Sequence, residues 1–132
     1  MIVVDASVLA NALADDRSDG TAARARLAGA GDLTAPDLVD VETVAVLRKR
    51  WAAGDLSRNR FSTAIDDLQA LDMTRYPALP LLRRAFELRH NVTAYDAVYV
   101  ALAERLECVL VTADQRLASA PGISCPVEVL RA

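Results

Sequence analysis

The chain has 132 residues, 53% of them hydrophobic and 25% charged, with a formal net charge of −3 at neutral pH. This balance excludes a disordered chain and suits one densely packed domain spanning residues 1–132, while the negative charge argues against a general nucleic-acid coat protein. The single histidine, His90, removes most Ser-His-Asp and zinc-hydrolase chemistry, and Cys108 and Cys125 lack the spacing of a zinc site or a disulfide framework. Both cysteines read as small core residues in a reducing compartment. The start lacks a basic leader, the apolar run Met1-Val4 ends at Asp5, and no stretch reaches the ~18 apolar residues of a membrane span. The expectation is a cytoplasmic protein without a membrane partner. Lys49 is the only lysine, so the basic residues are almost all arginine, whose planar fork suits phosphate and carboxylate.

In chain order, Ile2-Val4 reads as a buried parallel strand. Ser7 is expected to cap a helix to about Ala14, and a second helix covers Thr21-Ala30 before Gly31. Leu33-Ala35 is a brief strand, and Asp37 opens a long helix that stops at Gly54. Ser57 caps a helix to about Leu71, and Met73-Tyr76 is a short strand or extended link. Pro80 lies in the first turn of a helix reaching about His90, with Asn91 as terminator. Thr93 begins a helix through Leu106. Val109-Thr112 is the clearest strand, Ala113-Ala120 a short helix and Val127-Leu130 a last strand. Strands alternating with helices predict an α/β sandwich around an open, mainly parallel sheet.

Four acids stand out against that frame. Asp5 and Asp114 each follow a predicted strand, where open parallel sheets place their ligands, although Asp is also an ordinary helix cap there. Glu42 shares a helical face with Leu38, Val39, Ala45 and Val46; a carboxylate there needs a cation or hydrogen-bond donors, and Arg48 or Arg50 is the structural alternative. Asp96 sits among Tyr99, Val100 and Ala103, and Thr93-Ala94-Tyr95-Asp96 also fits a capping box. Converging on one pocket, these acids would repel by roughly 4 kcal/mol per pair at ~4 Å, which calls for a cation. An all-carboxylate site suits Mg²⁺ or Mn²⁺. Arg83, Arg84, Arg89 and Arg116 flank the third and fourth acids and are candidate RNA-phosphate contacts, with solvated helix surface as the plainer alternative. Trp51 and Tyr99 are candidates for stacking a base or for packing.

The segments Val3-Val4-Asp5-Ala6-Ser7-Val8-Leu9, Glu42 after Ala35-Pro36-Asp37-Leu38, Thr93-Ala94-Tyr95-Asp96-Ala97-Val98-Tyr99-Val100-Ala101-Leu102-Ala103, and Thr112-Ala113-Asp114-Gln115-Arg116-Leu117 together resemble the PIN-domain family, in particular VapC-type toxins of bacterial toxin–antitoxin pairs. The resemblance covers essentially the whole chain. It implies a PIN-like α/β/α sandwich that hydrolyses RNA phosphodiesters with Mg²⁺, or Mn²⁺ in its place. Asp5 and Asp96 would be the principal metal ligands, Glu42 a ligand directly or through water, and Asp114 the last member of the ring. Ser7, Thr112 and Thr93 match supporting positions. The resemblance also implies a homodimer and a cognate antitoxin that blocks the site. The apolar stretch Val41-Leu47 fits a helix covered on several sides, by core or by dimer.

A phosphoacceptor domain would need a lysine after a later strand, an aspartate phosphatase Asp-x-Asp rather than Asp5-Ala6-Ser7, and a nucleotide hydrolase a GxxxxGK[ST] loop. The remaining alternatives are a non-catalytic interaction module on the same fold and a metal-dependent nuclease outside toxin–antitoxin biology.

Overall fold

The computed structural model describes residues 1–131. Ile2–Val4 forms β1, whose three side chains are at most 3% exposed, the mark of a strand covered on both faces. It is followed by α1 (Ala6–Ala14), α2 (Ser18–Ala28), β2 (Leu33–Pro36), α3 (Val39–Ala52), α4 (Arg58–Ala70) and β3 (Thr74–Tyr76). A 3₁₀ turn at Leu79–Leu81 then leads to α5 (Leu82–Glu87), α6 (Ala94–Leu106), β4 (Val109–Thr112), α7 (Gln115–Ala118) and β5 (Val127–Val129).

The sheet is all parallel in the order β3-β2-β1-β4-β5, flanked by helices. From β1 the chain works outward to β3, then crosses back through α5 and α6 to place β4 on the other side of β1. The strand order therefore reverses between β1 and β4, and the crevice beyond their carboxyl ends is where such sheets bind ligands. On the helical side, α1 packs with α2, α3 and α4, while α6 lies across β1, β2 and β4 and carries α5. Seven consecutive residues of α6, Ala97 to Ala103, are buried, as expected of a helix enclosed on all sides.

The element boundaries depart from expectation at informative places. Asp5, not Ser7, caps α1. The α3 helix opens at Val39 because the Asp37 side chain instead accepts the Ala78 N–H at 3.1 Å. The helix expected from Pro80 divides into a 3₁₀ turn and the shorter α5. Val41–Leu47 is less enclosed than its apolarity suggested: Thr43 and Leu47 are buried, but Val41 is 76% exposed. Cys108 and Cys125 are free and half-buried. Close approach explains Gly20, where a Cβ would lie 1.7 Å from the Asp15 carbonyl oxygen and force α2 off the end of α1.

Candidate active site

Asp5 leaves β1 and turns at once into the N-cap of α1, a position whose extended backbone lets a short carboxylate fold back onto the helix. Its Oδ1 accepts the Ser7 N–H at 3.0 Å, the Val8 N–H at 3.3 Å and the Ser7 hydroxyl. Its Oδ2 accepts the Thr112 hydroxyl from the end of β4. The two hydroxyls are themselves held, since Ser7 Oγ accepts the Ala113 N–H at 3.1 Å and Thr112 Oγ1 accepts the Asp114 N–H at 3.0 Å. Asp5, Ser7, Thr112 and Asp114 thus form one network across the switch point. Burial pushes the Asp5 carboxyl above the ordinary carboxylate range, while these donors pull against that rise.

Asp96 enters from the first turn of α6, where its N–H donates to Thr93 Oγ1 at 3.2 Å. That is the Thr93 half of the capping box expected from the sequence, and it fixes the helix start that carries the acid. The Asp96 carboxyl is raised first by burial and then by the charges of Asp5 and Asp114. Glu42 comes from α3, half-buried between the enclosed Val39 and the exposed Ala45. It pairs with neither Arg48 nor Arg50; Arg50 donates to Asn11 at 2.7 Å, and Glu42 Oε1 instead accepts the Tyr99 hydroxyl at 2.9 Å. Burial raises the Glu42 carboxyl, Tyr99 opposes this, and the charges of Asp96 and Asp5 raise it further. Three carboxylates on three elements therefore feel one another, with Asp96 coupled to all the others.

Asp114 is treated differently. It caps α7 through the Arg116 N–H at 2.9 Å, and the Arg116 guanidinium lies 3.3 Å from both its oxygens. That cation holds the carboxyl below its ordinary range. Asp96, Asp114 and Arg116 line an open cleft of about 230 Å³ with Asn91, Val92 and Thr93.

The donor set is all oxygen, which selects hard divalent ions over softer metals. Among the described residues no three acidic side chains stand close enough to hold one ion by themselves.

The candidate arginines separate. Arg116 stands at the cleft with its side chain 92% exposed. Arg83 and Arg89 flank the exposed Phe86 ring, their guanidinium carbons 5.6 and 4.1 Å from its centre. Arg84 is engaged elsewhere, donating to Glu104, Glu87 and the Gly122 carbonyl. Trp51 is 47% exposed at the end of α3, whereas Tyr99 is 2% exposed, so its ring is core packing and its hydroxyl the polar exception. The Tyr99–Glu42 bond joins partners 57 residues apart that no local sequence pattern links.

A family model described as PIN domain matches residues 2–123. Ribonuclease VapC9 of Mycobacterium tuberculosis is 44% identical over 130 residues, covering 98% of this chain and 98% of the relative. Ribonuclease VapC1 of the same organism is 40% identical over 130 residues, covering 98% and 97%. In fold, the chain is similar to the crystal structure of M. tuberculosis VapC20, titled a sarcin-ricin loop cleaving toxin, with a TM-score of 0.68, 18% identity, and coverage of 94% of this chain and 97% of that one. With the acids of all four motifs brought to one end of the sheet, this chain belongs to the PIN-domain family, among its VapC-type members.

Proposed function

We propose that the protein is a metal-dependent endoribonuclease that hydrolyses RNA phosphodiester bonds and acts as the toxin of a toxin–antitoxin pair. The observation that carries this reading is the convergence of Asp5, Glu42 and Asp96 beyond the β1 and β4 ends, each carboxyl raised by burial and two of them also by neighbouring negative charge. A fold gains nothing in stability from such a cluster. A divalent cation placed there removes the repulsion.

Asp5 and Asp96 are the principal ligands in this reading, Glu42 a ligand directly or through water, and Asp114 the residue that completes the ring. A bound Mg²⁺, or Mn²⁺ in its place, supplies an activated water and stabilises the charge that develops on the phosphate. Ser7 and Thr112 hold both oxygens of Asp5, and Thr93 holds the start of α6, so the carboxylates stand in place before an ion arrives. Arg116 is free to exchange Asp114 for an RNA phosphate at the cleft, and Arg83 on α5 and Arg89 in the turn after it offer further phosphate contacts.

In this reading a cognate antitoxin blocks the cleft, as the resemblance to VapC-type toxins implies. The individually exposed apolar side chains of Val41, Leu79, Leu82 and Phe86 are candidates for burial in a homodimer. No helix among the described residues is long and apolar enough to cross a membrane.

The test is cleavage of total cellular RNA by purified protein with Mg²⁺, with chelator, and by Asp96→Asn. Cleavage by the wild type alone, and only with the ion, is expected. Equal cleavage by folded Asp96→Asn contradicts the assignment. No cleavage by a protein that still arrests growth when expressed favours an interaction module on this fold.

A further inference from the structure

We propose that Tyr99 is a positioning residue of the active site, its hydroxyl fixing the Glu42 carboxylate in the orientation from which it helps to hold the divalent cation. The inference rests on the metal-centre reading above and assigns a role to a residue that is not one of the four acids.

Tyr99 lies three residues after Asp96 on α6, close to the same helical face, so one helix delivers a site acid and, one turn on, the phenol. The ring is 2% exposed among the residues of the core. Phenylalanine would fill the same space, so packing does not require the hydroxyl. A buried hydroxyl needs a partner, and here the partner is an acid on another helix.

Glu42 depends on this contact. Its neighbours on α3 bring no cation to it: Arg48 and Lys49 are exposed, and Arg50 is occupied by Asn11. The Tyr99 hydroxyl is the hydrogen-bond partner of its carboxylate among the described residues, and it engages Oε1 only. A glutamate side chain has three rotatable torsions and loses much freedom when it is fixed. Tyrosine has two, both already set by burial. Tyr99 therefore holds one oxygen at 2.9 Å and leaves Oε2 available to a cation or to one of its waters. Carboxylate ligands are commonly held in this way by a donor behind them, and losing that donor typically weakens metal affinity by about 10- to 100-fold.

The test is calorimetric titration of Mn²⁺ into wild type, Tyr99→Phe, Glu42→Gln and the double variant, with thermal unfolding of each metal-free protein alongside. Tyr99→Phe is expected to remain folded and to bind Mn²⁺ at least about tenfold more weakly. In the Glu42→Gln background the same change is expected to alter affinity by less than about twofold, because the group it positions no longer carries the charge. Wild-type affinity in Tyr99→Phe, or an equal loss in both backgrounds, overturns the proposal while leaving the metal centre standing. Absence of binding by folded wild type overturns the metal reading and this role with it.

Discussion

Helix α6 carries two acids, Asp96 in its first turn and Glu104 about two turns later, and the fold treats them in opposite ways. Glu104 accepts the Arg84 guanidinium through both oxygens, at 2.8 and 3.0 Å, and the Ser124 N–H at 2.7 Å. Arg84 holds its carboxyl below the usual range, and the pair ties α5, α6 and the segment before β5 together. Asp96 has no comparable counter-ion, and its neighbours Asp5 and Asp114 raise it after burial has already done so. One helix thus shows what a structural carboxylate looks like when the chain neutralises it. It also shows a carboxylate left for something outside the chain to neutralise.

The largest difference is expected in activity. Asp96→Asn and Asp5→Asn should lower single-turnover RNA cleavage by more than about 100-fold with the fold retained, whereas Glu104→Gln should change it little. Comparable activity loss in Glu104→Gln would erase the distinction between the two acids.

Stability should respond in the reverse order. Arg84→Met leaves Glu104 largely buried without its partner, and urea unfolding should show a loss of about 2 kcal/mol. Asp96→Asn should instead stabilise the metal-free protein by about 1 kcal/mol, by removing like-charge repulsion.

The pH dependence sharpens this further. Asp5, Glu42 and Asp96 have native carboxyls raised above their unfolded values, so the native state binds more protons and stability falls as pH rises through the raised range. Glu104, Asp16 and Asp114 are lowered, so their contribution is complete above the unfolded values near ~4 and is lost as pH drops below them. Metal-free protein should therefore be most stable at mildly acidic pH. Asp96→Asn should flatten the fall toward neutrality, and saturating Mn²⁺ should reverse it. Thermal unfolding across pH reads all three.

The smallest expected effect lies at the other end of α6. Glu107 takes the left-handed conformation, φ 53°, with its N–H bonded to the Glu104 carbonyl and the Cys108 N–H to the Ala103 carbonyl, a helix ending that favours glycine. Glu107→Gly should raise stability by about 0.5–1 kcal/mol without touching cleavage.

Much of this architecture was legible in the residues themselves. The aliphatic runs Ile2-Val4 and Val109-Thr112 could bury only as central strands, and Ser57 and Thr93 announced their helices by capping chemistry that the structure reproduces. The four acids were visible because each interrupts an apolar pattern or ends a strand. Asp5 and Ser7 are both good cap residues two positions apart, and local chemistry did not choose between them; the reach of Asp5 to Thr112 on β4 did. The opening of α3 was misplaced because Asp37 turns to Ala78, far along the chain. The sequence offers Glu42 only nearby arginines as partners, whereas its partner in the fold is a phenol from another helix. Apolarity identified Val41–Leu47 as a face to be covered, but not what covers it.

The most direct measurement is calorimetric titration of Mn²⁺ into metal-free wild type beside Asp96→Asn at neutral pH. Saturable binding by the wild type, lost in the folded variant, is the predicted result. No saturable binding by folded wild type, or equal binding by both proteins, would contradict a cation site at Asp96.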